Sequence, residues 1–477
     1  MNSYTNANKP PERILQFGGG NFLRAFADWM IDILNEQTDF KGSVIIVKPT
    51  ERGDYVSLRK QNGLFHVVLN GLRDGQTVEE IRQIRCVSRI IQPYREWEDF
   101  LKTAALPSLR FVVSNTTEAG IVFNPKDTFS LQQCPNEFPA KLAIWLYQRY
   151  QTFRGAADKG CIFLPLELIP DNGTQLQACI LKYAAYWKLA PAFSQWIQQQ
   201  QIFCNTLVDR IVSGYPHEHA ARLATQIGIR DELLVAGEAY HNWIIQGPET
   251  VAEELPFADT QLNVTFAQDL DIHRKIKVRL LNGAHTSMVP MGLLSGVALV
   301  SEAMEHPLIG PFIEELLAEE VIPTIGFPEA DLKAFAAAVF NRFRNKAIRH
   351  QLISIALNST SKYASRLLPT LLDYHKHYGK LPQRMALALA ALIRMYKGDT
   401  EGLKDDQKNL QFFKEAWSTH EKDPSALVET ILARTQIWGQ DLNKIPELTQ
   451  TVSTYLVTIE AEGVEAAIAN SSKSLTP

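Results

Sequence analysis

One junction near the start constrains the fold more than any other feature. Arg13-Ile-Leu-Gln-Phe17 reads as a short strand, Gly18, Gly19 and Gly20 as a turn, and Asn21 onward as a helix. Phe22, Phe26, Met30, Ile33 and Leu34 recur at helical spacing. Four β-branched residues then follow in a row, Val44 to Val47. An unbroken run of this kind suits a strand covered on both faces, as in parallel sheets. Strand, glycine turn, helix and strand together open a doubly wound α/β sheet.

Leu64 to Asn70 and Glu79 to Ile91 read as antiparallel strands, and Phe111 to Ser114 and Cys161 to Leu166 as further short strands. Helical pattern occupies 138–150 and 175–203, with strand signal again at 257–266. Beyond about residue 270 the chain is helix-like throughout, over 274–283, 292–304, 310–321, 330–344, 348–358, 363–373 and 382–396, with breaks at Gly310-Pro311, Gly326, Gly379 and Gly398. The expectation is an α/β domain over 11–265 followed by a mostly α-helical domain over 266–477. A hydrophobic share of 45% supplies a large core for both.

Charge excludes some functions. The formal net charge is −4 and no basic stripe is present, which argues against nucleic acid as a partner. Arg274, Lys275, Lys277 and Arg279 form a small basic cluster suited to a small anionic ligand. No apolar run reaches the length of a membrane span, and Met1 to Pro11 lacks the pattern of a signal peptide. The 5 cysteines are widely spaced without a CxxC, so a reducing cytoplasm is expected rather than a disulfide framework.

Gly18-x-Gly20 lies between a strand and a helix, where backbone N–H groups and the helix dipole can receive a phosphate. A third glycine of the dinucleotide fingerprint is replaced by Leu23, so a tight turn without ligand is the alternative. After the second strand comes Lys48 in place of the acid that speaks for NAD. It suits either a 2′-phosphate or a place beside the adenine ribose, and spacing leaves NAD and NADP open. Ser114, Asn115 and Thr116 end a later strand, as a ligand loop or as a capped helix start.

Lys277-Val-Arg-Leu-Leu-Asn282-Gly-Ala-His285 is the sharpest motif. On an α-helix, Asn282 falls about 140° and His285 about 80° from Lys277, so the three share one side. A lysine, an amide and an imidazole converging on a carbonyl can exchange a proton and steady an oxyanion. The alternative is a solvated lysine, a helix end and a packed histidine. His217-Glu-His219 and His375-Lys-His377 lack a third ligand nearby, so no metal is expected.

The lysine, four residues, asparagine, two residues, histidine pattern resembles the signature of the polyol-specific long-chain dehydrogenase/reductase family, which includes mannitol dehydrogenase. Gly18-Gly-Gly-Asn-Phe22-Leu-Arg24, Thr116-Thr-Glu118-Ala-Gly120, Val208-Asp-Arg-Ile211, Arg342-Phe-Arg-Asn345 and Ser361-Lys362 are similar to the family in the same order. The resemblance implies a Rossmann-like nucleotide-binding domain, a helical domain, a cleft between them and no metal. It implies Lys277 as general acid/base, Asn282 in an oxyanion hole and His285 holding substrate. The nucleotide would be held by Phe17, Gly18, Gly20, Asn21, Phe22, Lys48, Ser114, Asn115 and Thr116. Mannitol dehydrogenases carry Asp-Asn, three residues, then Asn-Gly where this chain has Glu167-Leu168-Ile-Pro-Asp-Asn172-Gly173. Leu168 cannot donate a hydrogen bond, which disfavours a plain polyol and fits the hexuronate-reducing branch. That branch implies NAD-linked interconversion of D-altronate and D-tagaturonate, with fructuronate reduction, polyol oxidation and non-catalytic nucleotide binding as alternatives. The sugar acid's carboxylate needs a cation, for which Arg344, Lys362 and Arg366 are candidates ahead of Arg342.

Overall fold

A computed structural model describes residues 9–73, 76–116, 119–346 and 349–474. The chain divides into two compact units, Met1–Leu270 and Asp271–Pro477.

The first unit is built on a six-stranded, all-parallel sheet. In chain order its strands are β1 (Glu12–Phe17), β2 (Ser43–Val47), β3 (Val87–Ile91), β4 (Phe111–Ser114), β5 (Ile162–Pro165) and β6 (Ile202–Phe203). Their spatial order is β3-β2-β1-β4-β5-β6. The order reverses between β1 and β4, the crevice where doubly wound sheets bind ligands. Alternation along each strand feeds two cores. Ile14, Val44, Ile46, Phe111 and Val113 face helix α1, which runs through Asn21–Leu23, Arg24–Asp28 and Trp29–Gln37 and contributes Phe26, Met30 and Leu34. Leu15, Phe17, Ile45, Val47 and Val112 face the helix Phe138–Phe153, through Leu142, Trp145 and Leu146. The β-branched run at 44–47 is thus buried on both faces, as its composition requires.

Several boundaries differ from expectation. The segment 79–91 holds two strands: Gln76–Ile84 pairs antiparallel with Phe65–Arg73, whereas β3 joins the parallel sheet. The helical stretch 175–203 is two helices, Asn172–Tyr186 and Pro191–Gln200, followed by β6. Strand signal at 257–266 resolves into a 3-10 turn, Phe257–Asp259, and the strand Val264–Ala267. These last residues belong to a three-stranded sheet with Asn242–Gln246 and Asn205–Asp209.

The second unit is helical and packs around the helix Gln383–Met395, whose residues from Arg384 to Ile393 are all buried. A helix apolar on every side must lie inside its unit. Helix α2 is continuous through Asp271–Ile276, Lys277–Asn282 and Gly283–Leu294, so it outruns the expected 274–283. The expected helix 292–304 is broken after Leu294 and resumes at Val300–Glu305. The break expected at Gly310-Pro311 falls just before it, at 306–308, and Pro311 lies in the first turn of Ile309–Glu315, where its missing N–H costs nothing. Helices α3 (Glu329–Phe343) and α4 (Ser359–Arg366) complete what the site needs. Of the expected helix 348–358 only Leu352–Ile355 is helical, and residue 348 lies outside the described residues.

Candidate active site

Two sets of candidate side chains arise, one in each unit. In the first, Gly18 follows β1 with φ +117, and a Cβ there would sit 2.7 Å from Leu23 Cδ1 and 3.2 Å from the Asn115 carbonyl. Only glycine fits both the backbone angle and the space. Its N–H donates to the Val47 carbonyl at 2.9 Å, which ties the turn to β2. Gly20 caps α1 with no side chain over it, leaving the first helical N–H groups without a side-chain acceptor. Arg24 clasps the turn from below, donating to the carbonyls of Gly19 (3.2 Å) and Leu233 and to Asn21 Oδ1 (2.7 Å). Phe22 stacks on Phe26 at 4.9 Å.

The other expected nucleotide residues fare unevenly. Phe17 is fully buried between Phe100 and Phe138, so its ring is core and only its backbone borders the crevice; its carbonyl accepts from the Asn115 N–H at 3.2 Å. Lys48 is 3% exposed and turns its ammonium back onto the carbonyls of Thr50 and Arg52. Burial lowers its pKa, with Asp54 opposing. A lysine so engaged is a poor partner for a 2′-phosphate. No helix starts after Ser114; the next is Phe138–Phe153, and Thr117 and Glu118 lie outside the described residues. The loop is held instead by Glu167, a carboxylate that sequence reasoning did not single out. Its Oε2 accepts from Ser114 Oγ at 3.0 Å, and its Oε1 accepts from Thr116 N–H and Oγ1, both at 2.9 Å. Glu167 is 2% exposed, and burial raises its pKa against these bonds. The only sequence signal for it is a carboxylate at the C-terminal end of a parallel strand. Leu168, beside it, is 60% exposed.

In the second unit, Lys277–Asn282 is a π-helical turn inside α2. Its wider, i→i+5 turn brings residues five apart nearer to one face, so Lys277 and Asn282 are closer in angle than α-helical spacing suggests. One turn on, His285 is 8% exposed and stacks on Phe343 of α3 with ring centroids 4.1 Å apart. The His350 ring meets it edge-on at 5.1 Å. His285 Nε2 is buried with no hydrogen-bond partner among the described residues. Burial, then His350, Arg342, Arg366 and Lys362, hold its pKa well below the usual range, so the imidazole is neutral.

Those same cations form an anion-seeking cluster. Lys362 and Arg366 lie one turn apart on α4, an arrangement of like charges that weakens a helix by itself. Burial lowers both pKa values, and Arg366 adds to the lowering of Lys362. Lys362 donates to the Ile355 carbonyl at 2.7 Å, and Asp405 supports its charge. Arg366 reaches only Thr286 Oγ1, at 3.4 Å, and meets no carboxylate among the described residues. Arg342, set behind the others on sequence grounds, joins them in lowering the His285 pKa. Arg344 does not: it pairs with Glu314, and the two side chains are 39% and 40% exposed. Two residues along a helix point to opposite sides, which separates Arg342 from Arg344. The basic cluster at 274–279 also disperses. Arg274 pairs with Asp271 at 2.5 Å, Lys275 donates to the Ile325 carbonyl at 2.9 Å, and Arg279 pairs with Asp373 at 2.6 Å.

Among the described residues no group of three His, Cys, Asp or Glu could hold a metal, and no helix is long and apolar enough to cross a membrane. The His217–His219 segment is a short 3-10 turn, and His377 Nδ1 is taken by the Asp373 carbonyl at 2.6 Å.

Comparison with known proteins agrees with this division. Residues 12–259 match the mannitol dehydrogenase Rossmann domain, and 269–460 match the mannitol dehydrogenase C-terminal domain. An altronate oxidoreductase of Bacillus subtilis (strain 168) is 44% identical over 468 residues, covering 98% of this chain and 96% of its own. One from Yersinia enterocolitica is 44% identical over 467 residues, 96% of each chain. Among solved structures, Pseudomonas fluorescens mannitol 2-dehydrogenase, in a ternary complex with NAD and D-mannitol, superposes with a TM-score of 0.68 at 23% identity, over 99% of this chain and 96% of that one. A substrate-free D-sorbitol dehydrogenase gives 0.78 at 23% identity, over 96% and 95%. At that identity these two speak for the fold.

Proposed function

This chain belongs to the mannitol dehydrogenase family, and from that premise we propose that it is an NAD-dependent hexuronate reductase interconverting D-altronate and D-tagaturonate. The observation that carries the reading is the cation cluster beside a neutral His285, above all Arg366, a partly buried guanidinium without a carboxylate partner among the described residues. A polyol has no charge to offer it; an aldonate or uronate has one. The altronate oxidoreductases of similar length support the same substrate class.

The glycine turn fits a dinucleotide. The cradle at Gly18, which a Cβ would fill, and the uncapped start of α1 suit the pyrophosphate, held by Gly18, Gly20, Asn21 and Phe22 through their backbone. Ser114, Asn115 and Thr116, fixed by Glu167, border the same crevice. When bound, the nicotinamide supplies or takes up the hydride. This chain's residues handle the rest. In the direction of reduction, Lys277 gives a proton to the ketone oxygen and Asn282 donates a hydrogen bond to it as charge develops. His285 offers its unpaired Nε2 to a substrate hydroxyl, and Arg366, Lys362 and Arg342 hold the carboxylate. Polarisation of the carbonyl falls to Lys277 and Asn282, and the reading gives a metal no role.

A panel of ketones tests the substrate. With NADH, kcat/KM for D-tagaturonate should exceed that for D-fructuronate and for fructose. Equal or better turnover of fructose would sink the reading. Because the Lys48 ammonium is already spent on two backbone carbonyls, NADH should also outperform NADPH in kcat/KM. Preference for NADPH would mean that Lys48 leaves those carbonyls for a 2′-phosphate.

A further inference from the structure

Beneath the glycine turn, the first unit buries a carboxyl group that the proposed reaction does not use. Asp28 lies in the π-helical segment of α1 and is fully buried, as is Gln16 on β1. Gln16 Nε2 donates to Asp28 Oδ2 at 3.3 Å and to the Gly18 carbonyl at 3.1 Å. Both neighbours of Nε2 are acceptors. Turning the amide over would set Oε1 against them, so its orientation is fixed. Two buried oxygens remain without a partner among the described residues: Asp28 Oδ1 and Gln16 Oε1. They belong to the two groups already joined through Nε2. An ionised carboxylate only accepts, so both oxygens would stay unpaired at the cost of their desolvation. A proton on Oδ1 changes the count. Oδ1–H then donates to Gln16 Oε1 while Nε2–H donates to Oδ2, and the second Nε2–H stays on Gly18.

The charges around Asp28 leave room for that proton. Arg24, on the same helix, is committed to the carbonyls of Gly19 and Leu233 and to Asn21 Oδ1. Asp32, one turn further on, opposes ionisation and is itself held by Arg82 and by the Arg85 N–H. From beside β3, the Cys86 thiol donates to the Asp28 backbone carbonyl at 3.3 Å, and Lys9 faces that thiol. Burial, opposed by Gln16 and Arg24, pushes the Asp28 carboxyl up to about 7.

We propose that Asp28 is protonated in the folded protein, forms a two-bond acid–amide pair with Gln16, and through Gln16 fixes the Gly18 carbonyl, making Asp28 a positioning residue for the nucleotide turn. The effect on nucleotide binding rests on the NAD reading above; the pair itself does not. A carboxyl whose folded pKa lies above its unfolded value contributes stability at acid pH, and that contribution is lost as pH rises through about 7.

Asparagine at this position copies the protonated acid, with Nδ2 donating to Gln16 Oε1 and Oδ1 accepting from Nε2. Asp28→Asn should therefore melt progressively higher relative to the parent as pH is raised from about 5 to 8, by a few degrees in all. The infrared difference between parent and variant at about pH 6 should contain the carbonyl band of a protonated carboxyl, lost on raising the pH above about 8. NADH affinity of the parent should weaken severalfold over that range. Asp28→Asn should keep the parent's acid-side affinity throughout, and Gln16→Leu should bind weakly at every pH. A carboxylate band at about pH 6, with Asp28→Asn melting below the parent at every pH, overturns the pair. Equal, pH-independent NADH affinity in all three proteins overturns the positioning role. If the carboxyl band and melting pattern appear but no protein binds NADH, the pair stands and the nucleotide reading fails.

Discussion

Lys277→Met should lower kcat by about 10²–10⁴-fold, the usual worth of a general acid/base, while leaving NADH affinity nearly unchanged. That is roughly 3–5.5 kcal/mol of transition-state stabilisation. Methionine keeps most of the lysine stem's packing and deletes only the amine, and the glycine turn belongs to the other unit. The π-helical turn that carries both Lys277 and Asn282 gives the prediction its structural footing, because its wider turn brings residues five apart nearer to one face than an α-helix does. Lys277→Ala should behave alike, with partial rescue by small added amines. A lysine with only a surface role would cost under ~0.5 kcal/mol of stability and almost nothing in rate. The deciding measurement is kcat beside the NADH dissociation constant and Tm. A rate within about threefold of the parent removes Lys277 from the mechanism.

The second large effect is expected at Arg366. A hydrogen bond to a charged group is worth about 1.5–3 kcal/mol. Arg366→Met should accordingly reduce kcat/KM for the hexuronate by roughly ten- to 150-fold. Turnover of fructose, which has no carboxylate, should change little, so selectivity collapses toward the neutral ketose. Stability should move the other way. The guanidinium has no carboxylate partner among the described residues and stands one helical turn from Lys362, so its removal relieves like-charge repulsion of about 0.2–0.5 kcal/mol. Tm should hold or rise slightly as activity falls. Arg366→Lys should rescue only in part, because an ammonium cannot meet a carboxylate with a fork of two donors. An unchanged preference for the hexuronate over fructose would take Arg366 out of the carboxylate site.

The outline of the fold was legible because it rests on local rules. A β-branched run that alternates between two cores, a glycine at φ +117 and a helix apolar on every side each announce themselves within a few residues. The Lys277, Asn282 and His285 motif lies within nine residues of one helix, so its shared face follows from helical geometry. Tertiary structure decided what depends on neighbours distant in the chain. Glu167 reaches Ser114 and Thr116 across 51 to 53 positions, and its place at a strand's C-terminal end does not tell which loop it holds. Sequence reading sets Arg344 ahead of Arg342; in the fold Arg342 lowers the His285 pKa, whereas Arg344 pairs with Glu314. Lys48 reads as a partner for a 2′-phosphate or a neighbour of the adenine ribose until the chain curls back and offers it two carbonyls. Pattern fixes which residues are buried and which helix carries the candidate site, because burial and periodicity are local. Which charges remain unneutralised is a property of the packed interior, since a cation becomes a site only when the fold denies it an acid.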